Sequence, residues 1–553
     1  MSQNYTVSRY ILHRLREVGI KYLFGVPGDY NLDFLDDVIT SPVKWVGTCN
    51  ELNAGYAADG YARLIGAGAA VVTYGVGGLS IMNAVAGAFA EQVPMIVISG
   101  APPARRRESG AMVHHLVSNY YLQLDMFKKI TTDAILLTDP NTAPDEIDRV
   151  IKNCITRKLP VYIELPADIT KAPCREPGER LLSVPLVSNP DSLAECVAEA
   201  AEVLNKAGQP LILAGVEVLR HRLGKDALSL VETMEIPYAT MLSSKSVLPE
   251  LHPQFTGIYQ GGWSSEAVRS QVEDSDCLLS LGVWLTDLDT GLFSMNLDNR
   301  RIISVGGGQV RIGSHYYHDI QLGDFIRELT KAVKPRSYLA SHPSESYRPK
   351  QTFLPQPDCI LTAPRLYECI NYHLDDRMVL LSEPGDAFCA APEFNIEEAE
   401  NFIVQAYYCS IGFCTPAALG VSLARPEKRP VVLTGDGAFQ MTAQEISTLI
   451  RERCPAIIVL INNDGYLIER ALHQDGPYND IQMWQYSKMP SMFDNGTFSI
   501  GIRVTTEEEL EKAMELAISE TKKLVFIEVV LPNRDCSAGL ERLGKAFRLS
   551  QQK

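Results

Sequence analysis

The stretch from Val431 to Glu469 reads VVLTGDGAFQMTAQEISTLIRERCPAIIVLINNDGYLIE. Val431-Val432-Leu433 is a short apolar run that meets Thr434-Gly435-Asp436-Gly437, and a helix-period segment follows through Arg451. A second apolar run, Ala456 to Ile461, ends at Asn462-Asn463-Asp464-Gly465. Strand, turn, helix, strand, turn is a βαβ unit, so both turns belong at the carboxyl edge of one parallel sheet. That edge is where ligands sit in open α/β sheets. Asp436 brings a carboxylate, and Asn463, 27 positions later, brings a neutral amide oxygen on the neighbouring turn. With a backbone carbonyl near Gly465, these suit a hard cation such as Mg2+ whose remaining positions go to phosphate oxygens. Gly435 and Gly437 let the backbone approach those phosphates. Alone, Gly-Asp-Gly is more often a tight turn and Asn-Asn-Asp-Gly a hairpin-type turn. Together on consecutive strands they favour a metal and a diphosphate.

Gly435-Asp436-Gly437, 24 intervening residues and Asn462-Asn463 resemble the thiamine-diphosphate signature of the 2-keto acid decarboxylases. The resemblance extends to Phe24-Gly25-Val26-Pro27-Gly28-Asp29, to Asn50-Glu51-Leu52-Asn53 and to Val113-His114-His115-Leu116. Adjacent histidines on a loop are by themselves more often surface polar residues. Beside Asp29 and Glu51 they resemble the histidine pair of pyruvate, indolepyruvate and phenylpyruvate decarboxylases, which separates that branch from the acetohydroxyacid synthases.

The resemblance implies an α/β protein of three doubly wound domains with mostly parallel sheets. These are a pyrimidine-binding domain over 1–180, a middle domain over 190–340 and a diphosphate-binding domain over 355–553. It implies thiamine diphosphate and Mg2+ as cofactors, with Asp436, Asn463 and Gly465 on the metal. It places Glu51, Thr73, Gly385, Asp386, Cys409, Ser410, Ile411, Gly435, Asp436, Gly437, Ala438, Asn463 and Gly465 around the cofactor. Glu51 would be buried and share a proton with the pyrimidine ring, and Ile411 would wedge the two rings together. Asp29, His114, His115 and Glu469 would handle the remaining catalytic steps. The implied reaction is non-oxidative decarboxylation to an aldehyde and CO2 through a C2 carbanion and an enamine. Asp29, Glu51 and the histidines then come from one subunit and Asp436, Asn463 and Glu469 from another, so a homodimer or homotetramer is implied.

Phe388 stands where pyruvate-selective relatives tend to carry tryptophan. The Asp287-Leu288 region also lacks the tyrosine of a tight pyruvate pocket. Both departures suggest room for branched-chain or aromatic 2-keto acids, while Ile468 and Leu472, placed with Phe388 in the substrate pocket, are the residues that could compensate. The alternatives are pyruvate decarboxylase and an acetolactate-synthase-like carboligase. A dehydrogenase reading of Gly75-Val76-Gly77-Gly78-Leu79-Ser80 fails for want of the third glycine of the dinucleotide fingerprint.

The rest of the chain agrees. At 553 residues it exceeds one core and predicts three or four domains. A formal net charge of −16 argues against nucleic-acid and anionic-membrane partners. Arg105-Arg106-Arg107 reads as a solvated loop. The 12 cysteines show no metal-type spacing, which predicts buried, reduced residues in a cytoplasmic protein. No apolar run is long enough to span a bilayer. Prolines mark linkers over Pro173–Pro190 and Lys334–Pro364. Gly306-Gly307-Gly308, after a predicted strand, could cradle a nucleotide, but a structural role is favoured.

Overall fold

The computed structural model describes residues 5–182, 186–335, 351–396, 398 and 400–550; of the linker prolines, Pro185, Pro343 and Pro349 lie outside them. Three sheets carry the chain, two of six strands and one of seven. In the first, the order across the sheet is Lys44–Gly47, Tyr22–Gly25, Gly68–Val72, Met95–Ala101, Val161–Pro166, Asp133–Leu136. In the last, it is Phe402–Val404, Met378–Ser382, Arg429–Gly435, Ile457–Asn462, Leu524–Val530, Ser499–Val504. Every neighbouring pair in both is parallel. Numbered along the chain within its own sheet, each has the order 2-1-3-4-6-5: the same topology twice, without detectable residue identity. Strands buried on both faces, such as Met95–Ala101 and Ile457–Asn462, are continuous apolar runs because helices cover both sides.

The middle sheet is parallel from Phe255–Ile258 across Tyr238–Thr240, Pro210–Ala214 and Cys277–Leu281 to Ile302–Gly306. The antiparallel strands Gln309–Ile312 and His315–His318 complete it. Gly307 and Gly308, with φ of +57° and +81°, form the two-residue hairpin turn that reverses the chain. A turn with both central residues at positive φ selects glycine.

The first and last domains meet through two helices, Glu51–Ile65 and Cys414–Ala424. They touch backbone to backbone. A Cβ at Gly60 would lie 2.4 Å from the Ala417 carbonyl oxygen, and one at Gly420 1.9 Å from that of Ala57. One apolar cluster accordingly runs from Phe24 and Val72 through Ala57 and Ala417 to Val432 and Leu460. The chain's own fold thus ties the helix beginning at Glu51 to the helix that follows Ile411.

The arginine run departs from expectation. Ala104–Glu108 is a short helix that exposes Arg105 and Arg106 but turns Arg107 inward. Its guanidinium lies 2.7 Å from Glu164, which is fully buried on the strand Val161–Pro166, and rests over the rings of Tyr120 and Tyr121. Burial raises the Glu164 carboxyl despite Arg107. Arg107→Ala would leave that carboxyl, among the described residues, with the Tyr162 hydroxyl as its side-chain partner, and is expected to destabilise by about 3–5 kcal/mol. Because the folded-state pKa is raised, the folded protein binds the extra proton. The loss is therefore largest above that pKa and shrinks as pH falls through it. Urea midpoints across pH check this.

Seven of the twelve cysteines are buried and all twelve are free. No helix among the described residues is long and apolar enough to cross a membrane.

Candidate active site

The first set of candidate residues sits at the carboxyl edge of the first sheet because each follows a strand end. Asp29 follows Tyr22–Gly25, and Glu51 follows Lys44–Gly47. Thr73 follows Gly68–Val72, and the histidines follow Met95–Ala101. Asn50 caps the helix Glu51–Ile65 by accepting from the Asn53 N–H at 2.8 Å, which puts Glu51 in the first turn, where the helix dipole favours a negative charge. His114 Nε2 lies 2.6 Å from Asp29 Oδ2. Tyr30 stacks on the His114 ring at 4.9 Å, and His115 stands edge-on to both.

The neighbouring backbone holds this arrangement. A Cβ at Gly75 would fall 2.2 Å from the His115 carbonyl oxygen, and one at Gly28 2.5 Å from Thr73. Gly77 faces both Thr73 and Glu51 Oε1. Gly75 N–H donates to Gln123 Oε1 at 2.7 Å, and Gln123 is itself held by Ser99 and Tyr162. The segment Val76–Ser80 is a five-residue helix. Glu51 is half-buried in the chain rather than buried, and the His114 and Asp29 side chains are 59% and 49% exposed. One copy of the chain leaves this face open.

The second set lies at the carboxyl edge of the last sheet, as the βαβ reading requires. Asp436 Oδ1 accepts from the Gly437 N–H at 2.7 Å and Oδ2 from the Gly465 N–H at 3.1 Å. Burial pushes the Asp436 carboxyl up to about 6 against the pull of these N–H groups. Asn463 Oδ1 is buried without a hydrogen-bond partner among the described residues. A buried carboxylate beside an orphaned amide oxygen, with no lysine or arginine bonded to it among the described residues, fits a hard divalent cation. Gly465 has φ of +122°, and a Cβ there would meet the Asn479 carbonyl oxygen at 2.2 Å, so only glycine can make this turn. Tyr466 packs where a Gly437 side chain would be, and Ala438 is buried.

Glu383, which directly follows the strand Met378–Ser382, was not among the expected site residues. Its buried carboxylate accepts from the N–H groups of Gly412, Phe413 and Cys414 at 3.0, 3.0 and 3.1 Å. Burial raises it to about 7. It fixes the loop that carries Cys409, Ser410 and Ile411, all half-buried. Ser410 Oγ lies 2.5 Å from the Tyr56 hydroxyl and accepts from the Asn83 amide, so this loop is also tied to the first domain. Gly385 starts the helix Asp386–Ala390. The Asp386 carboxylate accepts from the Tyr367 hydroxyl at 2.7 Å and from the Ser537 hydroxyl and N–H at 2.7 and 3.0 Å. Asp386 thereby clamps the start of the helix Ala538–Ser550.

Phe388 is packed inside with Trp263 and Leu543 around a cavity of only about 10 Å3. Ile468 and Leu472 are half-buried on the helix Leu467–Leu472, which rests on Ala538–Ser550, and Glu469 on that helix is exposed. The space expected beside Phe388 is thus not an open cavity in one chain. A cavity of about 670 Å3 lies between the middle and last domains beside Lys245, Trp263, Phe394 and Arg542, and borders none of the candidate residues.

Among the described residues no hydrogen bond or ion pair joins Asp29, Glu51, His114 or His115 to Asp436, Asn463 or Glu469. The middle sheet has its own crevice between Pro210–Ala214 and Cys277–Leu281, where strand order reverses. Glu217 fills it: its Oε2 accepts from the Gly307 N–H at 3.0 Å and its Oε1 from Trp284 at 3.3 Å. A carboxylate thus occupies the N–H group a phosphate would use, which agrees with a structural role for Gly306-Gly307-Gly308. Tyr30 and Glu217 were also missed; Tyr30 could have been found as the aromatic directly after Asp29.

The family model described as thiamine pyrophosphate enzyme, N-terminal TPP binding domain, matches residues 5–125. The central-domain model matches 197–333, and the C-terminal TPP binding domain model matches 386–529. The chain is 38% identical over 538 residues to an alpha-keto-acid decarboxylase of Mycolicibacterium paratuberculosis, covering 96% of this chain and 94% of that protein. It is 38% identical over 546 residues to one of Mycobacterium leprae, covering 98% and 95%. A third, of Mycobacterium tuberculosis, is 36% identical over 534 residues, covering 96% and 94%. With two thiamine-pyrophosphate domains of one topology and relatives aligned along nearly their whole length, the chain belongs to the thiamine-diphosphate-dependent 2-keto acid decarboxylase family.

Proposed function

We propose that two copies of this chain decarboxylate a branched-chain or aromatic 2-keto acid to an aldehyde and CO2, using thiamine diphosphate held through Mg2+. The observation that carries this reading is the buried Asp436 carboxylate beside the unpartnered Asn463 amide oxygen at adjacent strand ends. Bound thiamine diphosphate supplies the electron sink that lets a 2-keto acid lose its carboxylate.

The protein's part is to bind, orient and move protons. Asp436, Asn463 and the Gly465 carbonyl take the metal. Gly435, Gly437 and Ala438 let the backbone approach the diphosphate, and Gly385, Cys409 and Ser410 line its path. Asp386 acts there through its clamp on Ser537. Ile411 would support the cofactor from a loop that Glu383 holds through the Gly412, Phe413 and Cys414 N–H groups and that Tyr56 holds through Ser410. Thr73, whose buried hydroxyl lacks a partner among the described residues, and Glu51 would meet the pyrimidine. The Asp29–His114 pair with His115 delivers protons at the reacting carbon, and Glu469 stands beside the departing carboxylate.

Assembly of copies is supported by the half-buried Glu51 and by exposed apolar side chains beside both sets: Val76, Met112 and Val117 by the first, Met441 by the second. The free cysteines support a reducing cytoplasmic setting. The spacing of the three sheets supports domain limits of 1–180, 190–340 and 355–553.

A direct assay compares aldehyde release from pyruvate, 2-ketoisovalerate, phenylpyruvate and indolepyruvate with both cofactors added. The expected result is a higher kcat/KM for the bulky acids. Preference for pyruvate would replace the substrate assignment, and condensation products without aldehyde would replace decarboxylation by carboligation.

A further inference from the structure

Away from both residue sets, the helices Ala363–His373 and Glu507–Ser519 pack together in the last domain. Cys369 and His373, four residues apart, share one face of the first helix, and Glu511 faces them from the second. His373 Nε2 lies 3.0 Å from Glu511 Oε2, and the Cys369 thiol donates to the same oxygen at 3.4 Å. The sulfur, the ring nitrogen and the carboxylate oxygen all fall within 4.8 Å of one another. Cys369 is fully buried, while the His373 and Glu511 side chains are 10% and 16% exposed.

We propose that Cys369, His373 and Glu511 form a site for a zinc-type divalent cation, distinct from the Mg2+ site, that staples these two helices together.

Ordinary Zn2+ bond lengths at tetrahedral angles put neighbouring ligand atoms roughly 3.4–3.6 Å apart. The trio therefore needs only small side-chain movements to become three corners of a tetrahedron. The fourth corner falls to water on the side where His373 and Glu511 reach solvent. One sulfur, one imidazole nitrogen and one carboxylate oxygen suit Zn2+ rather than Mg2+, which takes oxygen ligands and keeps its waters.

Charge favours the same reading. Arg365, the nearby arginine, is already bonded to Glu507 and Glu368. Glu511 has no lysine or arginine partner among the described residues. Burial and the Glu511 carboxylate hold the Cys369 thiol well above its usual range, so without a metal the proton stays on sulfur. A bound cation reverses that balance. The S–H bond breaks, the proton leaves to solvent and sulfur bonds the metal, with no change of oxidation state. Since the unfolded chain lacks the preformed trio, binding stabilises the folded state.

The test uses the full chain, stripped of divalent ions by a chelator, reloaded with thiamine diphosphate and Mg2+, and titrated with Co2+. The expected result is a thiolate-to-Co2+ charge-transfer band that saturates at one equivalent and is bleached by Zn2+. Cys369→Ser abolishes it, and His373→Ala weakens Co2+ binding at least about tenfold, the loss that even an outer-shell partner can produce. Cys49→Ser, at the exposed thiol, leaves the band unchanged. No band in the unaltered protein, or a band that survives Cys369→Ser or disappears in Cys49→Ser, overturns the proposal. If Cys369→Ser does not fold, unchanged Co2+ affinity in His373→Ala overturns it. None of these readings depends on turnover, so they stand or fall separately from the decarboxylase assignment.

Discussion

Glu51→Gln is expected to lower kcat by about 10²–10⁴-fold, the range spanned by loss of a positioned proton-transfer group. The amide keeps the shape of the side chain but cannot exchange a proton. Among the described residues the Glu51 side chain makes no hydrogen bond that the substitution would break, and the cap of its helix rests on Asn50 and Asn53 instead. Folding should therefore be unaffected, and retention of thiamine diphosphate should change by no more than a few-fold. Single-turnover and steady-state rates, measured beside cofactor content after gel filtration, separate the two effects. An unchanged kcat in a fully loaded Glu51→Gln enzyme would remove Glu51 from the catalytic set.

Asp436→Ala is expected to produce the opposite pattern. Asp436 brings the buried carboxylate to the edge shared by Asn463 and Gly465, whereas Asp464 in the same turn is exposed, so without Asp436 a cation loses its buried charged ligand. Loss of an outer-shell partner already costs metal sites about 10–100-fold in affinity, so loss of the charged ligand should weaken Mg2+ retention by at least about 100-fold. The substitution also leaves the Gly437 and Gly465 N–H groups without their acceptor. Asp436→Asn restores one acceptor oxygen without the charge, so it separates the loss of cation affinity from the loss of the turn. Equilibrium dialysis of Mg2+ with thiamine diphosphate reads both variants. Undiminished retention in Asp436→Ala would disprove the metal assignment.

Much of the site was legible because it is local. A strand end, a turn glycine and a polar residue occupy fewer than ten consecutive positions. A parallel strand starts and stops with its apolar run, so Asp436 and Asn463 could be assigned to one edge from spacing alone. The middle-domain glycines were also readable as a turn, although Glu217, the group that fills the crevice beside them, lies about 90 positions earlier and leaves no local signal.

The sequence by itself determined the alternation of strands and helices and the two polar turns of the βαβ unit with Asp436 and Asn463, since these depend on neighbours along the chain. The candidates on the first edge came through the family resemblance of their motifs. Only the tertiary structure decided which distant groups meet. It brought Asp29 to His114 across 85 positions and turned Arg107 inward to Glu164. It gave Glu383 three backbone donors, left Glu51 half-open in one copy of the chain, and set Cys369 and His373 against Glu511. Each of these depends on helix and strand packing between segments far apart in sequence. The direction of a charged side chain follows from what is packed beside it, which residue order alone does not encode.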